Sequence, residues 1–286
     1  RSTPKPSSAA SDVYKRQVIF GKCAGQCGRG QNNVILGHSA GRGSCNTCTG
    51  DNNIFLGHSA GCSITNGDCN VFLGFESGKD VTTGAANIAL GPSAVANLTT
   101  GSCNIAIGKD AMSTCDVTGA NNVAIGRNAA KKLTSGERNV FLGHYAGSDT
   151  ADNNYTGTES TFVGAYAGQS STGLYQTFIG ASAGKTFSCG KCNIALGYAA
   201  LCGAGSSSTG CCNIAIGICA LANLTTGSDN YFIGKLAGLC VKTGSKNIAI
   251  GICAGRGSHT SGTGLTGNYN ISVSYTHLRA HETSLH

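Results

Sequence analysis

The residues equipped for chemistry in this 286-residue chain are sixteen cysteines, seven histidines and a thin scatter of acids. Two pairs, Cys45-Asn-Thr-Cys48 and Cys189-Gly-Lys-Cys192, have the spacing of half a zinc site. A tetrahedral site needs four ligands, and no second pair follows either one at a ribbon-like distance, so no metal is assigned to them. Other cysteines recur in register. Cys69, Cys103, Cys192 and Cys212 stand five residues before a repeated glycine, and Cys23, Cys219 and Cys253 two after it. That recurrence predicts a small, semi-buried slot that Ser, Asp or Ala fills elsewhere. A disulfide between neighbouring copies, Cys192 with Cys212 for example, is also open, because stacked strands lie about 4.8 Å apart.

The remaining candidates are weaker. His38, His58 and His144 each follow a repeated glycine, and in an oligomer stacked imidazoles could gather a metal or an anion; the expectation here is a partly exposed ladder. Acids occur singly, without the recurring pair that glycoside hydrolysis needs. No G-x-S-x-G elbow is present, and Gly41-Arg-Gly43 lacks the strand and lysine of a phosphate cradle. Asn97-Leu-Thr99, Asn154-Tyr-Thr156 and Asn223-Leu-Thr225 are glycosylation sequons only in a chain secreted through a eukaryotic pathway. No catalytic, cofactor-binding or metal-binding residue is assigned, and the chain is not read as an enzyme.

What must position any of these residues is a repeat. A three-residue apolar stretch, a glycine, two variable residues and an alanine recur fourteen times, at Gly21, Gly37, Gly57 and onward to Gly251, with 17 residues the commonest spacing. A fixed period of that length means stacked supersecondary units. Four residues before the glycine stands Asn in most copies, from Asn33 to Asn247, with Ser160 and Gln176 as polar substitutes. Triplets such as Val34-Ile35-Leu36 and Val140-Phe141-Leu142, bounded by Asn and Gly, read as short strands. The glycine suits a corner with positive φ, and the alanine a site where backbone approaches closely. A variable polar loop then leads to the next Asn, whose amide can bond along the stack. The fold class is therefore all-β, a parallel β-solenoid of about 14 short rungs and roughly 65 Å long.

Both ends read as foreign. The residues from Ser11 to Gln17, Ser-Asp-Val-Tyr-Lys-Arg-Gln, are what the adapter sequence TCA-GAT-GTG-TAT-AAG-AGA-CAG encodes, and Val273 onward begins as its reverse complement translated. Residues 1–17 and 273–286 are set aside as translated adapter, leaving 18–272 as one β-solenoid repeat domain and a fragment. The two ends hold a net three positive charges, so the formal +7 falls to +4. A mild charge spread over a long rod gives no nucleic-acid stripe. Apolar runs fall far short of the roughly 20 residues that span a bilayer, so no membrane insertion is expected of this fragment.

The middle residue of each triplet is never polar: Ile35, Phe55, Phe72, Ala89, Phe141 and their equivalents. With the flanking residues taken as inward, the middle one faces out, and a stripe of exposed Phe demands a cover. Another copy of the chain in a symmetric oligomer is the simplest cover. An intrachain layer, or the second arm of each coil, is the other.

The pattern Asn-Val/Ile-Ala/Phe-Ile/Leu-Gly-x-x-Ala resembles the head repeats of trimeric autotransporter adhesins, the YadA-like left-handed parallel β-roll, and related repeats of phage and large-virus tail fibres. It covers nearly all of the insert, Val18 to about Gly255. The resemblance implies three chains side by side, an extracellular, cell-surface or virion location, and loops that attach to a glycan or protein of a host cell or matrix. A longer repeat and many cysteines set this chain apart from the bacterial heads. A monomeric solenoid binding carbohydrate or ice is the alternative, and a polysaccharide-degrading tail-spike the third.

Overall fold

The computed structural model describes residues 16–26, 28–43, 49–113, 116–148, 155–188, 190–203, 208–256 and 267–273. The end segments 1–15 and 274–286 thus lie outside the described residues, as do Cys45, Cys48, Cys189 and Asn154. Fifteen strands, β1 (Val18–Phe20) to β15 (Ile271–Ser272), stack in sequence order as one parallel sheet, and no described residue is helical. The register never slips: Val18 pairs Val34, Phe55 pairs Phe72, Ala215 pairs Phe232. Each rung therefore repeats the last one directly above it, which is a parallel β-solenoid. The other sides of the coil are turns, yet their backbone bonds also run from rung to rung, as from Ser59 N–H to the His38 carbonyl at 2.9 Å. The stack holds one rung more than the glycine count predicts, because Asn270 and β15 continue it without a following Gly-x-x-Ala.

Three features of the repeat make the coil. The Asn side chain is buried and ties three strands of hydrogen bonding together. Asn122 donates from Nδ2 to the Gly136 carbonyl at 2.9 Å, and its Oδ1 accepts the Asn139 backbone N–H at 3.0 Å. The strand-end glycine has φ near +135, and a Cβ on Gly126 would stand 2.5 Å from the Gly143 carbonyl oxygen, so both conformation and space require glycine. The alanine three residues later is fully buried in rung after rung, as at Ala60, Ala94 and Ala146.

The phase of the strands differs from the expectation. The middle residues Phe55, Phe72, Phe141, Phe162, Phe178 and Phe232 point into the coil, and their own chain covers them to within 1% of complete burial. Of the two covers considered, the intrachain one holds. Strand residues alternate sides, and the buried Asn two positions earlier has the same parity as the middle residue, so anchoring one inside fixes the other there. Phe55 stacks on Phe72 at 5.2 Å between centroids and Phe162 on Phe178 at 5.1 Å, short aromatic files along the axis separated by rungs whose central residue is alanine. The loops supply the opposite wall: Ile64, Val81, Leu98, Leu133, Phe187 and Leu224 are all buried, so the loop is not wholly polar but contributes one inward apolar side chain in most rungs. Burying a side chain of this size contributes about 2 kcal/mol.

Candidate functional site

With the middle residue inward, the outward residues of every strand are the flanking two. From Val34–Leu36 to Ile248–Ile250 each strand reads half-exposed, buried, half-exposed. The first outward row holds Val, Ile and one Tyr, broken only by Thr161 and Thr177; the second is Leu, Ile or Val throughout that span. Neither row carries a charge. Leu73, Ile125 and Ile179 keep about two-fifths of their surface in water, and at the end of the stack Phe20 keeps 78%. Fifteen in-register strands three residues wide make a strip about 10 Å by about 67 Å, an apolar footprint of roughly 650 Å². The largest apolar patch on an ordinary monomer is about 300–600 Å².

The rows bordering this strip are mixed: charged and amide side chains alternate with cysteines on one side, and on the other His and Lys alternate with exposed Phe75, Ile218 and Ile252. Along one edge runs the residue before each Asn, or before its substitutes Ser160 and Gln176, always with positive φ: Arg138, Glu159, Asp229 and Lys246 among them. Arg138 bridges Glu159 of the next rung at 2.9 Å, and the hydrogen bond with Glu159 leads in raising its already high pKa. Cys69, Cys103, Cys192 and Cys212 sit in this same edge row and are exposed, not semi-buried as their recurrence suggested; the left-handed corner turns the side chain outward. The row two residues after the glycine fits the expected slot better, with Cys219 and Cys253 half-buried and Cys23 exposed at the end of the stack.

Along the other edge stand the histidines. His38 and His58 stack at 5.0 Å with planes 8° apart, and Phe75 continues the stack at 5.3 Å. His144 repeats the register but is not brought to them; it packs edge-on against Tyr145 and Tyr166. Ser39 Oγ and His38 Nδ1 share a hydrogen bond at 3.1 Å, as do Ser59 and His58. Beside them opens a shallow groove of about 520 Å³ lined by Ser39, Arg42, Ser59, Ser63, Thr65 and Thr82. Sequence reasoning missed this groove because its hydroxyls come from three different rungs.

Among the described residues no three of His, Cys, Asp and Glu gather as metal ligands, and no helix is long and apolar enough to cross a membrane. The Asn97 and Asn223 amides of two sequons are engaged with the next rung, donating to the Ser113 and Leu239 carbonyls at 2.5 and 2.8 Å. Tyr155 is a deeply buried titratable group, whose phenol burial pushes well above its ordinary range; its hydroxyl donates to Asn139 Oδ1 at 3.5 Å. No family model, curated protein or solved structure matches this chain. The arrangement presents an uncharged apolar strip along the sheet and a hydroxyl-lined groove at its edge.

Proposed function

We propose that this chain is a shaft segment of a multichain fibre. Copies of the solenoid pack their apolar strand faces together as a homotrimer, and the exposed turns attach to a glycan or protein of a host cell or matrix. The observation that carries the reading is the uncharged strip of outward Val, Ile and Leu, widened along one edge by exposed Phe75, Ile218 and Ile252. A continuous apolar centre is the core of a stable interface, and the strip's roughly 650 Å² approaches the ~800 Å² that each partner contributes to a standard one. A second copy suits it better than an unrelated partner, since two strips with the same 4.8 Å repeat interdigitate along their length. This agrees with the resemblance to adhesin heads and tail fibres, and with an extracellular or virion setting. The groove at Arg42 supplies the polar contacts that a surface glycan requires, and no catalytic role is assigned. Ice binding would call for ordered threonine rows on a flat face; the strand face carries outward threonines only at Thr161 and Thr177, and the other exposed ones, such as Thr83 and Thr100, stand in turns.

Sedimentation of the full chain tests the assembly. The expected species has three times the 28.7 kDa chain mass. Leu73→Lys combined with Ile125→Lys should yield a monomer with an unchanged β spectrum, since neither side chain supports the coil from inside. A parent chain that runs as a soluble monomer overturns the reading. Attachment is then measured on arrays of surface glycans and matrix proteins, where Arg42→Ala should weaken glycan capture several-fold.

A further inference from the structure

Cys192 and Cys212 occupy the same place in consecutive rungs. β11 (Ile194–Leu196) pairs β12 (Ile214–Ile216) with Ile194 against Ile214, and each cysteine stands two residues before its strand. Two bonds hold that register at the cysteines themselves: Cys212 N–H donates to the Lys191 carbonyl at 2.9 Å, and Asn213 N–H to Asn193 Oδ1 at 2.9 Å. Both residues have left-handed backbone, φ 55 and 57, so their Cα–Cβ bonds are parallel. The Cys212 thiol is raised above its ordinary range, first by burial and then by the neighbouring Cys192, and both residues are exposed. In-register parallel strands place such Cα atoms about 4.8 Å apart, inside the 4.4–6.8 Å range of disulfides. No other described cysteine of this edge row has a cysteine in the next rung: Cys69 is followed by Ala86, and Cys103 by Asn121.

We propose that Cys192 and Cys212 are a redox modification site, closing a cross-rung disulfide when the chain meets a small-molecule disulfide such as oxidised glutathione. One thiolate attacks the small disulfide, forming a mixed disulfide and releasing one thiol. The second thiolate then displaces the remaining small thiol from that sulfur. The protein loses two electrons and two protons; the small disulfide gains both and leaves as two thiols. The bond staples β11 to β12 across the turn that joins them. Cys211 is the competitor, because its Sγ accepts the Lys191 N–H at 3.5 Å and so also approaches this rung. Its different position in the repeat turns it from Cys192, whereas Cys212 shares the same direction. The inference is independent of whether the chain assembles.

The test incubates the full chain under native conditions with oxidised glutathione, alkylates the remaining thiols, and maps the digest by tandem mass spectrometry. The expected result is Cys192 and Cys212 unalkylated and joined to each other, with a product about 2 Da lighter than the reduced chain. The link should persist in Cys211→Ser. In Cys192→Ser it should vanish, leaving Cys212 either alkylated or carrying glutathione. The oxidised parent should melt several degrees above the reduced one, and Cys212→Ser should lose that difference. Both thiols alkylated after oxidation, or a bond from Cys192 to Cys211 or any other cysteine, overturns the proposal.

Discussion

The ring of Phe162 fills the space into which a side chain at Gly168 would grow: a Cβ built there would stand 2.5 Å from the ring's Cδ2 and Cε2. The same pairing joins Phe55 with Gly61 and Phe178 with Gly184, six residues apart across the inside of one rung. In three rungs whose strand centre is alanine the residue six positions on is larger, Met112 after Ala106, Leu201 after Ala195 and Leu221 after Ala215, all fully buried; Ala130 after Ala124 and Gly255 after Ala249 are exceptions. In those three rungs the swap keeps the interior filled, in keeping with the density of protein interiors.

The pairing predicts a compensating cycle. Gly168→Leu alone overpacks the rung, and Phe162→Ala alone leaves a cavity worth about 3–5 kcal/mol. The double variant rebuilds the arrangement of Ala195 with Leu201, and Leu201 already accepts φ 48 at that corner. Urea unfolding should show the double variant more stable than either single one; simple additivity would refute the pairing.

Asn122→Ala should cost roughly 2–4 kcal/mol, because it strips a partner from the Asn139 N–H and from the Gly136 carbonyl inside the coil. The loss should be local. Hydrogen exchange at the Asn139 amide should accelerate at least tenfold, while amides several rungs away keep their protection.

Gly126→Ala should be among the most damaging single methyl additions. At φ 135 an L-residue is strained, and the new methyl would meet the Gly143 carbonyl, which the next rung holds fixed. The corner two residues on is different: with φ of about 57 it carries Asn128, and its equivalents include Tyr145 and Ser182. Asn128→Ala should therefore cost far less than Gly126→Ala in thermal melting.

Burial raises the Tyr155 phenol above its unfolded value, so the folded chain keeps that proton when the unfolded chain releases it. The contribution is complete below the unfolded pKa of about 10 and is lost as pH rises beyond it. Lys79 and Lys246 are raised by their hydrogen bonds to Glu76 and Tyr269 and act in the same direction, more weakly because both are exposed. The measure is hence a difference: stability should fall from pH 9 to pH 11 more steeply in the parent than in Tyr155→Phe. Equal slopes would place the phenol in water.

The amino-acid order alone determined the repeat, the short parallel strands, the asparagine ladder, the glycine corners and the close-packed alanines. Each is a backbone requirement that only one or two residue types meet, and recurrence prints it many times over. It did not settle which side of each strand faced in, because the two sides of Val140-Phe141-Leu142 are equally apolar and hydropathy cannot choose between them. The clue lay two residues earlier in Asn139, which shares parity with Phe141 and is buried with it. Reading the ladder as internal would have turned the phenylalanines inward. Only the closed coil decides the rest: that Gly168 makes room for Phe162, that Leu98 and Phe187 reach in from loops, and that Ser39, Arg42 and Thr82 border one groove. These depend on how far each turn carries the chain before it returns, a distance fixed by packing across the coil instead of by any local preference.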